Sequence, residues 1–392
     1  MNLTMHESTF AREQAAGRIH VKVFSLRALC LIVLAAATAF SQTPQSASDV
    51  QSSTRPLTML VVGDSILWGQ GLKDEHKSWY YVKEWLQKHT GRTVNERIEA
   101  HSGAVIERTS DTENLVSANR EVNLGLPTIH EQLDNALRFY SNASQVDLVL
   151  VSGCGNDVGV EHLLNSSDIN EVNERTETKC GSPMEKLLRR ITSSFPAAKV
   201  IVTGYYPFFS ELTKNDFVSR ALARRFFKTR SNRSRMSSRE VFERLKINSK
   251  AWHEASDKSL AETVRKVNAA LFDQTQRVMF ARIDFPPEYS FAAGKSRLWA
   301  LNRSPFRMFL VIVSFGKILL PPNDEARKYR TAGCNDIYRE PPNETPEQKK
   351  ERKKRRLYCR YAALAHPNRM GAVVYADAVT NLLRSIYSPN TP

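Results

Sequence analysis

Long apolar runs are scarce in this 392-residue chain. Two exist, Ala28 to Phe40 and Met308 to Leu320, and both fall short of the roughly 20 apolar residues a membrane-spanning helix needs. The second contains Lys317, so it reads as a buried helix or strand. Cysteine is sparse, and no C-x-x-C spacing occurs, which removes the usual zinc-site signature. No internal repeat is present. Acidic residues are in deficit: 41 Asp+Glu against 56 Lys+Arg give a formal charge of +15. Such a balance favours anionic partners. The excess sits largely in two runs, 220–239 and 349–360, without a zinc-finger or aromatic-rich RNA-binding signature, so no nucleic-acid partner is expected. The runs read as solvated surface, with an anionic polymer or membrane surface as the contact they would suit.

What the N-terminus does have is a targeting pattern. Lys22 and Arg27 precede the apolar run, and the small residues Ala37 and Ala39 come before the polar stretch from Ser41. Residues 1–41 read as a secretory signal, with a start at Met5 or later, or an uncleaved anchor, as alternatives. Residues 42–56, rich in Ser, Thr, Gln and Pro, read as a linker. A secreted or periplasmic location follows. Cys154, Cys180, Cys334 and Cys359 then remain, an even number that suggests two disulfides in an oxidising compartment. Three pairings are possible, and proximity favours Cys154 with Cys180 and Cys334 with Cys359.

From residue 57 the pattern alternates. Leu57–Val62 is a short apolar run stopped by Gly63, as for a strand buried on both faces. Trp79, Val82, Trp85 and Leu86 recur at helical spacing before Gly91. Strands are expected at Thr93–Ala100, Val146–Ser152, Lys199–Thr203 and Arg277–Ile283, with helices over Thr128–Tyr140 and 184–195. This rhythm predicts an α/β fold, a three-layer α/β/α sandwich around a flavodoxin-like five-stranded parallel sheet. Two stretches interrupt it: a basic helical insertion at about 208–276, and a second at about 294–360, with its apolar patch and a Pro- and Lys/Arg-rich loop.

Three places carry chemistry. Gly63-Asp64-Ser65 follows the first strand, at the sheet edge where open α/β folds bind ligands. Leu67 stands where a G-x-S-x-G elbow would have its second glycine, so this is not that motif. His366 precedes Pro367 and the final helical pattern of Ala372, Tyr375, Ala376, Val379, Leu382 and Leu383. It would supply the base a serine hydroxyl needs. Asn156, in Ser152-Gly-Cys-Gly-Asn-Asp157 at the end of the third strand, could donate to an oxyanion, as could the amides of Ser65 and Gly103.

Gly63-Asp64-Ser65 after the first strand, Gly103 after the second, Asn156-Asp157 after the third and His366-Pro367-Asn368 before the last helix together resemble, in that chain order, the four blocks of the SGNH/GDSL hydrolase family over roughly Leu57 to Tyr387. The resemblance implies Ser65 as nucleophile, His366 as general base, and Ser65, Gly103 and Asn156 as the oxyanion hole, with no cofactor and no metal. Cys154 replaces the family's usual glycine in the third block. Ala363 stands where the family normally carries an aspartate three residues before the histidine. The acid could come instead from Asp284, at the end of the fifth strand, or from Asp336 beside Cys334; a backbone carbonyl could orient His366 as a dyad; or the site could be silent. The expected function is an exported serine esterase acting on an acyl glycan, a short-chain acyl ester or a lipid. An acyltransferase and a ligand-binding protein on the same fold are the alternatives.

Overall fold

The computed structural model describes residues 55–108, 120–122, 127–159, 166, 168–220, 237–271, 276–301 and 321–387. The signal, nearly all of the linker, the Met308–Leu320 patch, and Arg224 and Arg225 of the first basic run lie outside the described residues.

Five short strands form one parallel sheet: β1 (Leu57–Val62), β2 (Val94–Ile98), β3 (Leu148–Val151), β4 (Lys199–Thr203) and β5 (Val278–Ala281), in the order β2-β1-β3-β4-β5. β1 and β4 have the expected bounds, whereas β2, β3 and β5 are shorter than the strands expected at Thr93–Ala100, Val146–Ser152 and Arg277–Ile283. Alternate residues of β1 serve opposite faces. Leu60 and Val62 join Val149, Val151, Val200 and Val202 in one core, and Met59 and Val61 join Leu148, Leu150 and Ile201 in the other. Both faces are therefore buried, as a parallel sheet requires. Each fully buried Leu or Val contributes about 1.5–3 kcal/mol.

The helices, in chain order, are α1 (Ser65–Trp68), α2 (Ser78–Thr90), α3 (Ile129–Phe139), α4 (Gly155–Val158), α5 (Ile169–Cys180), α6 (Ser182–Ser194), α7 (Ser238–Ala269), α8 (Arg327–Ile337), α9 (Pro346–Arg360) and α10 (Arg369–Leu383). Trp79, Val82 and Leu86 of α2 pack with Ala376, Val379 and Leu383 of α10 on one face, while α3, α6 and α7 cover the other. The chain thus has the three-layer α/β/α fold. Trp79 is a core residue.

The two insertions differ in detail from their expected form. Among the described residues the first contributes a helix of 32 residues, α7, begun by a capping box between Ser237 and Glu240, and helical backbone at 217–220. In the second, the expected Lys/Arg-rich loop is instead the helical pair α8 and α9. α9 has few apolar residues, so no hydrophobic period announces it. It is held by a Thr345–Gln348 capping box, by Arg352 bonded to Glu344, and by the Cys334–Cys359 disulfide to α8. The other disulfide joins Cys154 to Cys180. Both pairings follow sequence proximity.

Candidate active site

The chain leaves β1 through Gly63 at φ +142, where a Cβ would sit 2.4 Å from Ser152 Oγ and 2.6 Å from its carbonyl oxygen. Only glycine tolerates this approach. The turn is clamped by buried Gln132, whose Oε1 accepts from Gly63 N–H at 2.7 Å and whose Nε2 donates to Gly63 O at 3.0 Å. Asp64 then caps α1 by accepting from Ile66 N–H at 3.0 Å. Its carboxylate also accepts from Ser152 Oγ at 2.7 Å and from Tyr205 Oη at 2.6 Å. Burial raises the Asp64 pKa above the ordinary carboxylate value, against the lowering effect of these hydrogen bonds. The result is a rigid pedestal that presents Ser65 at the N-terminus of α1.

His366 reaches this serine from the loop before α10, with Nε2 at 2.7 Å from Ser65 Oγ. Its other nitrogen, Nδ1, faces the carbonyl of Leu364 at 3.4 Å, and the carbonyl of Ala362 also bears on the ring. Carbonyls only accept, so they favour the tautomer with its proton on Nδ1. Nε2 is then free to take the serine proton. Desolvation pushes the imidazole down to about 4, helped by the charge of Arg330 and opposed by the two carbonyls. His366 is therefore neutral over most of the acid range.

The loop that carries His366 is fastened from several sides. Trp299 N–H donates to His366 O at 2.8 Å, Ala365 N–H donates to Trp299 O at 2.9 Å, and Tyr206 Oη donates to Ala365 O at 2.8 Å. Neither acid candidate takes part. Asp336 is exposed and paired with Arg339. Asp284 is exposed too, and no carboxylate is among the hydrogen-bond partners of His366 in the described residues. Asp284 follows β5 and Asp336 lies on α8, and neither position delivers a carboxylate to Nδ1. Of the sources weighed from sequence, the geometry matches the backbone carbonyl.

The sheet order β2-β1-β3 sets the loops bearing Gly103, Ser65 and Asn156 side by side. Direct bonds brace them: His101 N–H to Gly63 O at 3.0 Å, Asn156 Nδ2 to Ala104 O at 2.8 Å, and Ile106 N–H to the Asp157 carboxylate at 3.0 and 3.1 Å. Burial lifts Asp157 to about 6. Gly103 has φ +78, in the left-handed region. Among the described residues, the N–H groups of Ser65 and Gly103 donate to no protein group, and Asn156 keeps one amide hydrogen to spare. These donors are thus available to an anionic oxygen.

Several residues that build the site are invisible to motif reading. Tyr205 and Tyr206 follow β4, and that position at a strand's C-terminal end was the available signal. A buried ionic group is also new: Arg330 pairs with Asp324 and with Glu121 at 2.7 Å. Glu121 in turn accepts from Trp68 Nε1 at 2.9 Å, Gln70 Nε2 at 2.6 Å and Gly71 N–H at 2.9 Å. Arg330 Nε reaches Arg360 O at 3.3 Å. The group therefore spans the segment after Ser65 and the segment before His366. Its members are far apart in sequence, and no local pattern signals them.

A parallel sheet in this order, with a serine–histidine pair at its C-terminal edge, gives an α/β/α domain that holds a candidate nucleophile and base. The GDSL-like Lipase/Acylhydrolase family model matches residues 61–229, which include Ser65, Gly103 and Asn156 and end before His366. Residues 61–229 are therefore similar in sequence to that family. The chain is similar to an extracellular lipase from Streptomyces rimosus, at 17% identity over 63% of this chain and 89% of that one, with a TM-score of 0.38. It is also similar to phospholipase A1 from Streptomyces albidoflavus NA297, at 16% over 64% and 89%, TM-score 0.37. A family two carbohydrate esterase from Clostridium thermocellum is similar at 11% over 58% and 55%, TM-score 0.32. No curated protein matches the chain.

Proposed function

We propose that residues 57–392 form an exported serine esterase that cleaves carboxylic esters through an acyl-enzyme. The observation that carries this reading is the 2.7 Å contact between Ser65 Oγ and His366 Nε2. Ser65 Oγ attacks the ester carbonyl while its proton passes to Nε2. The carbonyl oxygen becomes an oxyanion held by the amides of Ser65 and Gly103 and by the Asn156 side chain, each donor being worth about 2.7–4 kcal/mol in such a hole. Collapse breaks the ester bond, and the leaving alcohol takes the proton from His366. Water then attacks the acyl-enzyme, gives its proton to His366, and releases the carboxylic acid and free Ser65.

The imidazolium formed in this cycle has carbonyl dipoles rather than a carboxylate at Nδ1. The carbonyls fix its orientation and tautomer, and the turnover is expected to lie below that of a full triad. Two disulfides support an oxidising, extracytoplasmic location. The substrate class is an acyl glycan, a short-chain acyl ester or a lipid. Hydrolysis of p-nitrophenyl acetate and butyrate, beside Ser65→Ala and His366→Ala, tests the reading. Loss in both variants, with fluorophosphonate labelling confined to chains that keep Ser65, is the expected result. Wild-type turnover equal to that of both variants, with no labelling, would leave a ligand-binding protein on this fold, the second reading that the missing carboxylate favours.

A further inference from the structure

Arg330 of α8 is wholly buried, and its partners Asp324 and Glu121 are buried with it. The guanidinium is used on three sides. Nη1 donates to Asp324 Oδ1 at 2.9 Å and to Glu121 Oε1 at 2.7 Å, Nη2 bonds the other Asp324 oxygen, and Nε donates to Arg360 O at 3.3 Å. A buried ion group adds little to stability that a well-packed apolar cluster would not. Its use here lies in what it joins.

On the nucleophile side, Glu121 accepts from the indole of Trp68, the last residue of α1, and from Gln70 Nε2 and Gly71 N–H. The same turn grips Ser65 itself, whose carbonyl accepts from Gly69 N–H at 3.1 Å and Gln70 N–H at 3.0 Å. On the oxyanion side, Arg120 O, next to Glu121, accepts at 3.1 Å from the N–H of Ser102, the neighbour of Gly103. On the base side, Arg330 holds the carbonyl of Arg360 at the end of α9. From there the chain runs through Ala363, whose carbonyl accepts from His366 N–H at 3.1 Å. Gly71 closes the circuit: its carbonyl accepts from Glu325 and Ala326 N–H at 2.9 and 3.2 Å, and a Cβ on it would lie 2.9 Å from the Ala363 Cβ. Arg330 and Asp324 belong to the second insertion, beyond the residues 61–229 that match the family model.

We propose that Arg330 is a positioning residue for the ester hydrolysis: it does not touch the reacting atoms, and through Glu121 and the Arg360 carbonyl it holds Ser65, the Gly103 donor and His366 in mutual register. The assignment rests on the esterase reading above. With no carboxylate at Nδ1 in the described residues, His366 depends on its loop for orientation, so the register between loops carries more of the catalysis than it does in a full triad. Arginine suits the task, because its planar fork meets several acceptors in a fixed geometry that the point charge of a lysine does not reproduce. The charge has a second effect. It disfavours the imidazolium of His366, whose other neighbours are Ser65 Oγ and the carbonyls of Leu364 and Ala362, while Asp324, Glu121 and, beside Glu121, Lys77 are the charged groups facing Arg330.

The test compares the full wild-type chain with Arg330→Lys, which keeps the charge but not the fork, and with the double variant Arg330→Gln, Asp324→Asn, which removes an ion pair together and leaves less buried charge unpaired. Arg352→Lys is the control, since it disturbs a comparable pair, to Glu344, elsewhere on α9. Turnover of p-nitrophenyl acetate is expressed per Ser65 titrated to completion by fluorophosphonate, so that unfolded chains do not count. Arg330→Lys should lower kcat by about tenfold to a hundredfold with KM within about twofold, as a displacement near 1 Å would. Arg352→Lys should leave both unchanged. The acid limb of kcat/KM should stay in place in Arg330→Lys and move up in the double variant, where the imidazolium loses a neighbouring cation. A merely structural role would reduce the titratable fraction and leave turnover per site as it was. Wild-type kcat per site in Arg330→Lys, or an equal loss in Arg352→Lys, would overturn the proposal, and these two chains decide it if the double variant does not fold. NMR titration of the His366 ring in the Ser65→Ala chain keeps the two readings apart. An upward move on adding the double variant, beside a wild type that cleaves no ester, would sink the esterase reading and leave the hold of Arg330 on His366 standing; an unmoved titration would overturn that hold.

Discussion

Acidifying the assay to about pH 5 should leave ester turnover nearly intact, and this follows from the place of His366 in the fold. Desolvation holds its imidazole at about 4. At pH 5 about nine-tenths of the molecules then keep a neutral base, against about 3% for an imidazole with the unperturbed value of about 6.5. The two cases differ about thirtyfold in activity. The measurement is kcat/KM for p-nitrophenyl acetate between about pH 3.5 and 8, read at the wavelength where phenol and phenolate absorb equally, with the single acid limb expected near about 4. Asp157, next to the Asn156 donor and lifted to about 6 by burial, is a second group of the site that titrates in this range. A step of its making would disappear in Asp157→Asn, which keeps the shape of the side chain. An acid limb near about 6.5 that survives Asp157→Asn would refute the reasoning, because His366 would then be solvated or paired with a carboxylate. Stability should respond with the same sign. The unfolded chain binds the His366 proton at higher pH than the native one, so this contribution is complete above about 6.5 and declines as pH falls towards about 4, by up to about 3 kcal/mol.

Asp284→Asn and Asp336→Asn should each leave kcat/KM within about twofold of wild type, since both carboxylates are exposed and neither bonds to His366. A hundredfold loss in either would restore it as the acid. Asn156→Ala should lower kcat by about 10²–10³ in single-turnover assays, with little change in KM, if its amide binds the oxyanion rather than the ground-state carbonyl. The double replacement Cys334→Ser with Cys359→Ser should cost about 3.5 kcal/mol in urea unfolding, from the loop entropy released across a sequence separation of 25. An unchanged unfolding midpoint would mean that the α8–α9 pair does not unfold with the domain.

Much of the fold was legible because the sheet is buried on both faces. Leu57–Val62 and Lys199–Thr203 stand out as short apolar runs, and both became strands with the expected bounds. The ends of β5 were harder to place, since Arg277 and Ile283 extend its pattern beyond the hydrogen-bonded ladder. Polar helices escaped notice for a physical reason. α5, which carries Cys180, and α9 are stabilised by caps, disulfides and ion pairs, and these leave no apolar stripe to read. The serine and histidine were findable because each sits beside a glycine or proline turn with its own signature. What orients the histidine was not. The carbonyls of Leu364 and Ala362 belong to every possible side chain, and the anchors Tyr206 and Trp299 reach the loop only through tertiary contact.

Cys154 occupies a position with φ +88, a backbone shape that glycine adopts freely and other residues adopt at a cost of about 1–2 kcal/mol. Its bond to Cys180 offsets that cost with a covalent tie between the block bearing Asn156 and α5. This makes the two positions an evolutionary unit. A lineage that exchanged Cys154 for glycine would relax the backbone but strand a buried thiol at position 180, while one that lost Cys180 would keep the strained turn without its fastener. Either single step passes through a less fit chain, so the pair is expected to be gained or lost together, and its joint presence or absence among descendants would mark branches that diverged while folding in an oxidising compartment.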